Sequence, residues 1–162
     1  MKRYVTGLLV LAAVIGLLAG CGGNKSTADD TLDAGTIWDA VVTRLDEDAF
    51  PVLMELDDAS LSSYYGLTDS EVADYIGQLP MMNVRATELL IVKANKDKAD
   101  EVRAAMEKRQ ADLAAIWSSY LPDQYALVQD YRIVENGNWL LFVVAGNADD
   151  IVAIFDEYTK QS

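Results

Sequence analysis

The residue with the most defined chemistry is Cys21, the one cysteine of the chain, which follows Leu18-Ala19-Gly20. This tetrapeptide has the pattern of a bacterial lipobox, in which the cysteine sulfur receives a diacylglyceryl group and the chain is cleaved before the cysteine. Two acyl chains on one thioether turn weak, reversible membrane binding into stable anchoring. The motif therefore predicts lipidation of Cys21 and removal of residues 1–20.

The residues before Cys21 have the composition of a secretion leader. Lys2 and Arg3 precede an apolar run from Val5 to Gly20, and no basic cluster follows it. A transmembrane helix needs about 20 predominantly apolar residues, so this run is too short to span a bilayer. An ordinary signal peptide cut elsewhere and an uncleaved anchor are the alternatives. We expect a body held at the extracytoplasmic face of the cell membrane, with the lipid bilayer as a partner through acylated Cys21.

The charge balance restricts the partners of that body. The chain has a net charge of −13, and the part from Cys21 onward carries 11 Lys+Arg against 26 Asp+Glu, or −15. A negative field of this size repels nucleic acid and anionic lipid head groups. We expect no nucleic-acid partner, and a solvated surface is the simplest explanation of the acidic excess.

Missing residue types exclude several chemistries. The chain has no histidine, and its one cysteine is committed to lipid. Ser-His-Asp triads, cysteine nucleophiles, imidazole or thiolate metal sites and disulfides are therefore excluded. Asp-rich calcium loops, Gly-rich phosphate loops and the dinucleotide fingerprint are absent as well. We expect no cofactor and no metal, which leaves a carboxylate pair or a lysine as the remaining means of catalysis.

The chain divides into a leader (1–20), a small and polar acylated spacer (21–35) and one domain (36–162). Hydrophobic periodicity and capping patterns predict the elements of this domain. In the first half they are a helix from Thr36 to about Asp48, a short piece at Val52–Leu56 that is strand or helix, and a short helix after Thr68-x-x-Glu71, with a strand as the alternative.

The second half has clearer patterns. They predict a central strand at Leu89–Val92, a long helix opened by Asp97 and Asp100 and stopped by Pro122, strands at Val128–Glu135 and Trp139–Ala145, and a last helix after Asn147 and Asp150. Asn136-Gly137 suits a type I′ turn between the two later strands. The expected fold class is α+β, a mainly antiparallel sheet of about three to four strands with helices packed against it. The order β-α-β-β-α is also that of part of a ferredoxin-like fold.

Arg109 is the first candidate ligand-binding residue. It lies within the apolar stripe of the long helix, between Met106 and Leu113. A guanidinium on a buried stripe needs a carboxylate or carbonyl partner, either from the protein or from a ligand. Glu88, at the start of the central strand, is one such partner. The alternative to a ligand site is a structural ion pair or a side chain that reaches solvent at the edge of the stripe.

Aromatic and methionine residues give a second set of candidates. Tyr64 and Tyr65, with Met81-Met82, could line an apolar groove, and Trp117 and Tyr120 could offer an aromatic platform, for example to a wall glycan. Core packing is the alternative for both pairs, since Trp117 and Tyr120 continue the helical stripe.

Acidic residues give a third candidate site, for calcium. Asp57 and Asp58, after Asp46-Glu47-Asp48 and Glu55, could supply oxygen ligands. No loop spacing of a calcium site is present, so turns and helix ends exposed to solvent are the alternative.

Several short motifs resemble those of a known family. They are Tyr65-Gly66-Leu67, Met81-Met82, Ala86 to Lys93, Arg109, Tyr120 to Gln124 and Gly137-Asn138-Trp139. Together they resemble a family of clostridial and related Firmicutes lipoproteins described as a domain of unknown function. The resemblance spans about Trp38 to Tyr158. It implies a surface lipoprotein of a Gram-positive cell and assigns no activity, ligand or catalytic residue.

Three functions remain open at the level of sequence. The leading interpretation is a non-enzymatic tethered module that binds an envelope protein, a peptide or a wall component. The second is a carrier of a small ligand or cation for a membrane partner. The third is an enzyme built on carboxylates, which would require two of them within catalytic reach of one cleft.

Overall fold

The computed structural model describes residues 31–45 and 50–160. The predicted leader and most of the predicted spacer, with Cys21, lie outside these residues. The elements in chain order are α1 (Ala34–Arg44), β1 (Leu53–Glu55), α2 (Asp58–Tyr65), β2 (Val72–Pro80), β3 (Glu88–Ala94), α3 (Ala99–Trp117), α4 (Pro122–Gln129), β4 (Arg132–Asn136), β5 (Trp139–Val144) and α5 (Ala148–Thr159). Residues from Thr31 onward belong to one compact unit.

The five strands form one sheet in the order β1-β2-β3-β5-β4, and every neighbouring pair is antiparallel. This confirms the predicted α+β class with an antiparallel sheet, although the sheet has more strands than expected. The predicted central strand is confirmed too, because β3 lies in the middle of the order. Its continuous apolar run reflects burial on both faces, as expected for a strand covered by two layers.

Helices cover both faces of the sheet. Because side chains alternate along a strand, Leu90 and Val92 of β3 join a core with α2, α3 and α4, while Leu89 and Ile91 join a second core with α1 and α5. The domain thus has three layers, with a separate apolar core on each side of the sheet.

The second half has part of a ferredoxin-like arrangement. Strands β3, β5 and β4 lie side by side in that order, as in the predicted β-α-β-β unit. However, α3 and α5 pack on opposite faces of the sheet. The connection from β3 through α3 ends at β4, which is separated from β3 by β5, so it does not join neighbouring strands.

Most predicted helices are confirmed, with different ends. α1 begins at Ala34 and not at Thr36, because Asp33 is its N-cap and accepts a hydrogen bond from the Thr36 amide at 2.7 Å. It ends at Arg44, before the predicted Asp48. α3 and α5 have the expected places, but no side chain caps either helix.

The predicted helix after Thr68 is wrong, and its strand alternative is correct. Thr68 and Glu71 do form the hydrogen bonds of a capping pattern, at 3.1 Å from the Thr68 amide to the Glu71 carboxylate. A strand follows nonetheless, because the residues from Val72 to Gln78 pair with β3. Long-range pairing outweighs a local capping signal here, as it does for weak helix propensities in general.

The other differences concern short elements. The open piece at Val52–Leu56 contains the edge strand β1. The α2 helix, which the periodicity did not predict, is capped by Asp57 and ends at Gly66, whose φ is +70°. Val128, expected in a strand, lies in α4, and β4 begins at Arg132.

The predicted hairpin between β4 and β5 is confirmed, but its turn differs. Asn136 pairs with Trp139, so the two central residues of the turn are Gly137 and Asn138. Gly137 has a φ of +65°, and Asn138 is not among the residues with positive φ. Positive φ at the first central residue alone is the pattern of a type II′ turn and not of the expected type I′.

Candidate functional site

Two regular elements bring Glu88 and Arg109 together. Glu88 is the first residue of β3 and lies on the same face as Leu90 and Val92, which is the face covered by α3. Arg109 follows Met106 by three residues on α3, and the helical repeat places both side chains on the stripe that faces the sheet. The carboxylate and the guanidinium therefore meet between the sheet and the helix.

The contact is a bidentate ion pair. Arg109 Nε lies 2.9 Å from Glu88 Oε1, and Nη2 lies 2.8 Å from Oε2. The Tyr65 hydroxyl donates a third hydrogen bond to Oε1 at 2.5 Å. The Glu88 side chain is 2% exposed and that of Arg109 is 12% exposed. Glu88 is thus the buried partner that the sequence required for Arg109, and its charge is fully compensated.

Burial and the ion pair perturb the groups around Glu88. Burial, followed by the charge and hydrogen bond of Glu88, raises the pKa of Tyr65 well above its usual value, so this hydroxyl stays protonated as a donor. For Arg109, burial lowers the pKa, but the hydrogen bond and charge of Glu88 outweigh it and leave the pKa raised. Both side chains therefore keep fixed protonation states around neutral pH.

Arg109 has donors to spare. Its guanidinium carbon lies 4.7 Å from the centre of the Tyr64 ring and 5.8 Å from that of Tyr65, within the range of cation–π contacts. Its hydrogen bonds to the described residues all come from Nε and Nη2. Nη1 donates to none of the described residues and is not among their buried side-chain atoms without a partner, so it is accessible to solvent, and Arg109 lines an open groove.

This groove, which we call the α2–α3 groove, has a volume of about 510 Å³. It lies between α2, the end of α3 and the end of the sheet at which β2 ends and β3 begins. Its lining residues are mostly apolar or aromatic: Tyr64, Leu79, Pro80, Met82, Asn83, Arg85, Ala86, Glu88, Arg109, Leu113, Ile116, Trp117 and Tyr120. Such a volume and lining are typical of sites for small ligands or single side chains of a partner.

The rim of the groove leaves large apolar side chains in solvent. Met82 is 63% exposed and Ile116 is 60% exposed, and Tyr64 and Tyr120 are also exposed. Tyr120 stacks on the mostly buried Trp117, with ring centres 5.7 Å apart and planes at 30°. Exposed apolar residues that gather around a groove, as these do, mark interaction sites more often than singly scattered ones.

The structure brings most candidate ligand-binding residues to one place. Tyr64, Glu88, Arg109, Trp117 and Tyr120 all line the α2–α3 groove. Tyr65 does not, because it is buried beneath the groove and holds Glu88. Trp117 and Tyr120 stack on each other, but Trp117 is buried in the core, as the alternative interpretation expected, and only Tyr120 is exposed.

Sequence reasoning missed Arg85 and assigned Ile116 to the core. Arg85 lies in the connection between β2 and β3 and also lines the groove. Its position three residues before Glu88 could have indicated this, because the residues just before a strand lie near the side chains at the start of that strand. Ile116 continues the predicted stripe of α3, but it lies beside the row of buried side chains that includes Leu113 and Trp117, and it is 60% exposed.

The acidic residues considered for calcium have structural partners instead. Asp57 caps α2 and accepts from the Ser60 amide at 2.8 Å, and Asp58 accepts from the Tyr75 hydroxyl at 2.7 Å. Residues 46–48 lie outside the described part. Within residues 31–45 and 50–160, no three His, Cys, Asp or Glu side chains are grouped so that they could hold a metal ion.

The fold and the groove define a small α+β domain with an amphipathic ligand-sized site. Residues 46–145 match the family described as a domain of unknown function (DUF4358), and the chain belongs to this family. No curated protein and no solved structure shows significant similarity to the chain. In the part of the chain that the structure describes, no helix combines the length and apolar character needed to cross a membrane.

Proposed function

We propose that this protein is a lipid-anchored extracytoplasmic lipoprotein whose α+β domain is a non-enzymatic binding module, and that the α2–α3 groove is its binding site. The observation that carries the binding role is the convergence of exposed apolar side chains on a groove with a buried, preorganised Arg109 in its lining. A rigid polar group within an apolar wall is the usual composition of a ligand site.

The anchor is supported by the sequence. Leu18-Ala19-Gly20-Cys21 closes a basic-apolar leader, and no other cysteine competes for the modification. A spacer of 13 steps from Cys21 to Ala34 reaches about 45 Å when fully extended. This reach is enough to let a small domain turn and find partners near the membrane surface.

The first described residues contact the sheet away from the groove. The Ala34 amide donates to the Asp74 carboxylate at 2.7 Å, so the chain enters the domain beside the first half of β2. The groove is lined by Leu79 and Pro80 at the other end of this strand. The six residue steps along the strand from Asp74 to Pro80 correspond to about 20 Å. The first described residues and the groove thus lie at opposite ends of β2.

A carrier of a small ligand is the second candidate function, and the groove volume of about 510 Å³ favours it over a carrier of cations. The enzyme interpretation has less support. Glu88 is the one carboxylate in the groove lining, and its oxygens are occupied by Arg109 and Tyr65. General acid–base chemistry on a second group would need a partner that this lining does not supply.

The anchor is tested by intact-mass analysis of the full-length protein purified from membranes of a bacterial host. We expect a chain that begins at acylated Cys21, and a Cys21→Ser variant that leaves the membrane fraction or keeps its leader. An unmodified Met1 on the membrane-bound wild-type protein would contradict the proposal.

The groove is tested by photo-crosslinking in intact cells. A photoreactive residue replaces Met82 at the groove rim, and the control position is Ala153, which is exposed on α5 on the opposite side of the sheet. We expect a discrete crosslinked product from position 82. Ile116→Glu should abolish this product. Ala111→Glu, which makes the same charge change at an exposed position of α3, should leave it unchanged. The same products from positions 82 and 153, or none from position 82, would contradict binding at the groove.

A further inference from the structure

Arg85 gives the groove a cation that the protein does not neutralise. Its side chain is exposed, lines the groove, and makes no hydrogen bond or ion pair with residues 31–45 or 50–160. Asp123 lines the adjacent cleft together with Arg85, yet the two form no ion pair. In a chain of net charge −13, the groove lining carries two arginines and one glutamate. The local excess is therefore positive and favours an anionic group on the ligand.

Arg109 offers a different kind of donor in the same groove. Its charge is already balanced by Glu88 through two hydrogen bonds, so it adds little attraction for a further anion. Nη1 nevertheless retains its N–H groups, and these can donate to an uncharged carbonyl oxygen. The groove thus presents one group suited to a carboxylate and one suited to a carbonyl.

The remaining lining selects an apolar or aromatic body. Tyr120 stacks on the buried Trp117 and is itself exposed, as are Met82 and Ile116 of the same lining. Aromatic and methionine side chains adapt well to a ring or a branched aliphatic group. A ligand that fits must therefore combine an apolar body, a carboxylate and a nearby carbonyl.

We infer that the α2–α3 groove binds the free carboxyl end of a peptide whose last side chain is aromatic or aliphatic, with its carboxylate on Arg85 and the preceding backbone carbonyl on Arg109 Nη1. This inference rests on the proposed binding role of the groove. A fatty acid supplies the apolar body and the carboxylate but no adjacent carbonyl, so it leaves Arg109 Nη1 unused. Capture of a terminal carboxylate is a recurring mode of peptide recognition.

The test uses full-length protein in nanodiscs of zwitterionic lipid and fluorescence anisotropy of a dye-labelled peptide, Gly-Ser-Leu-Phe, as the free acid and as the C-terminal amide. We expect the acid to bind about tenfold more tightly than the amide, which is the usual effect of one charge-assisted hydrogen bond. Arg85→Gln should reduce acid binding to the level of the amide, while Arg85→Lys should keep most of the preference. Both variants change an exposed side chain in a loop, so folding is preserved.

Two further variants separate the apolar contribution. Ile116→Glu should weaken the acid and the amide equally, and Ala111→Glu, on the same helix and away from the groove, should change neither. Equal affinity for acid and amide in the wild type would overturn the inference, and so would an Arg85→Gln variant that loses both equally. Dodecanoate that binds through Arg85 where the peptide does not would also overturn it, in favour of a fatty acid.

Failure of the inference and failure of the proposed function are distinguishable. If no peptide binds, the peptide carboxyl end is excluded, while a crosslinked product from position 82 in cells would still support the groove as a binding site. If neither is observed, the groove is not a binding site and both proposals fail.

Discussion

The buried ion pair makes a quantitative prediction about stability. Arg109→Met removes the cation from Glu88, whose side chain is 2% exposed, and leaves the Tyr65 hydroxyl as its remaining side-chain donor. Breaking a buried pair on one side costs about 3–5 kcal/mol, because a charge stays buried without its partner. Since the groove admits water beside Arg109, we expect about 3 kcal/mol, at the lower end of that range.

The complementary change costs less. Glu88→Gln keeps an oxygen that accepts from Tyr65 and from Arg109 Nε, but its amide nitrogen faces the Nη2 donor, so one hydrogen bond of the pair is lost. Arg109 retains its contact with the Tyr64 ring and reaches the groove. We expect a loss of about 2 kcal/mol, typical of a hydrogen bond to a charged group.

The double variant distinguishes a coupled pair from two independent residues. When Glu88→Gln and Arg109→Met are combined, neither residue carries a charge and the Tyr65 hydroxyl keeps an acceptor. We therefore expect the free energy of unfolding to fall by about 2 kcal/mol in total, whereas independent effects of the two changes would add to about 5 kcal/mol. The assay is urea unfolding of full-length protein in detergent at pH about 7, followed by tryptophan fluorescence, with the slope of the transition checked for constancy. Losses that add within about 0.5 kcal/mol would refute the ion-pair reasoning.

Three further comparisons test particular contacts. Tyr65→Phe should reduce the loss of stability at alkaline pH. Folding raises the pKa of Tyr65 above 10.0, so the stability that the protonated hydroxyl contributes is complete below about pH 10 and is lost as the pH rises further. Equal slopes of the urea midpoint against pH above about 9 in the wild type and the variant would contradict this. Gly77→Ala should lower the free energy of unfolding by about 1–3 kcal/mol, because an added Cβ lies 2.7 Å from the Cβ of Leu56. Gly146→Ala is the control: its added Cβ meets nothing within 4 Å and should cost less than about 0.5 kcal/mol. Similar losses for the two variants in thermal unfolding would argue against the close approach at Gly77. Ile116→Glu should leave the free energy of unfolding within about 0.5 kcal/mol of wild type, and a larger loss would show that Ile116 supports the core.

Elements with one dominant local pattern were predictable from the sequence. The apolar run of β3 has no helical periodicity and fits a strand buried on both faces, and Gly137 marks the hairpin between β4 and β5. The stripes of α3 and α5 repeat at helical spacing over several turns. In these cases, local propensity and burial in the fold favour the same structure.

Other elements depend on contacts between distant residues and were not predictable. Thr68 and Glu71 form a capping pattern, but the pairing of β2 with β3 determines a strand. α2 has only two buried residues, Leu61 and Tyr65, so its periodicity is too weak to detect. Single-sequence patterns do not contain the free energy of pairing between elements far apart in the chain.

The candidate site was predictable in part. A charged residue on an apolar stripe requires a partner, and Glu88 was named as one possible partner of Arg109; the fold places this carboxylate against it. Arg85 was missed because, in the sequence, an arginine in a connection between strands looks like any exposed charge. Its relevance arises only when the fold places this connection against the end of α3.

The most direct test of the account is the rate at which a membrane-impermeant maleimide labels single cysteines on intact cells. Because Cys21 is the chain's one native cysteine and is expected to carry lipid, Met82→Cys at the groove and Ala153→Cys on α5 would each provide a unique thiol. We expect both thiols to be labelled on cells. Because a partner occupies the groove, the rate for Met82→Cys relative to that for Ala153→Cys should be lower on cells than in the purified protein. Absence of labelling at both positions, or the same ratio of rates on cells and in the purified protein, would contradict it.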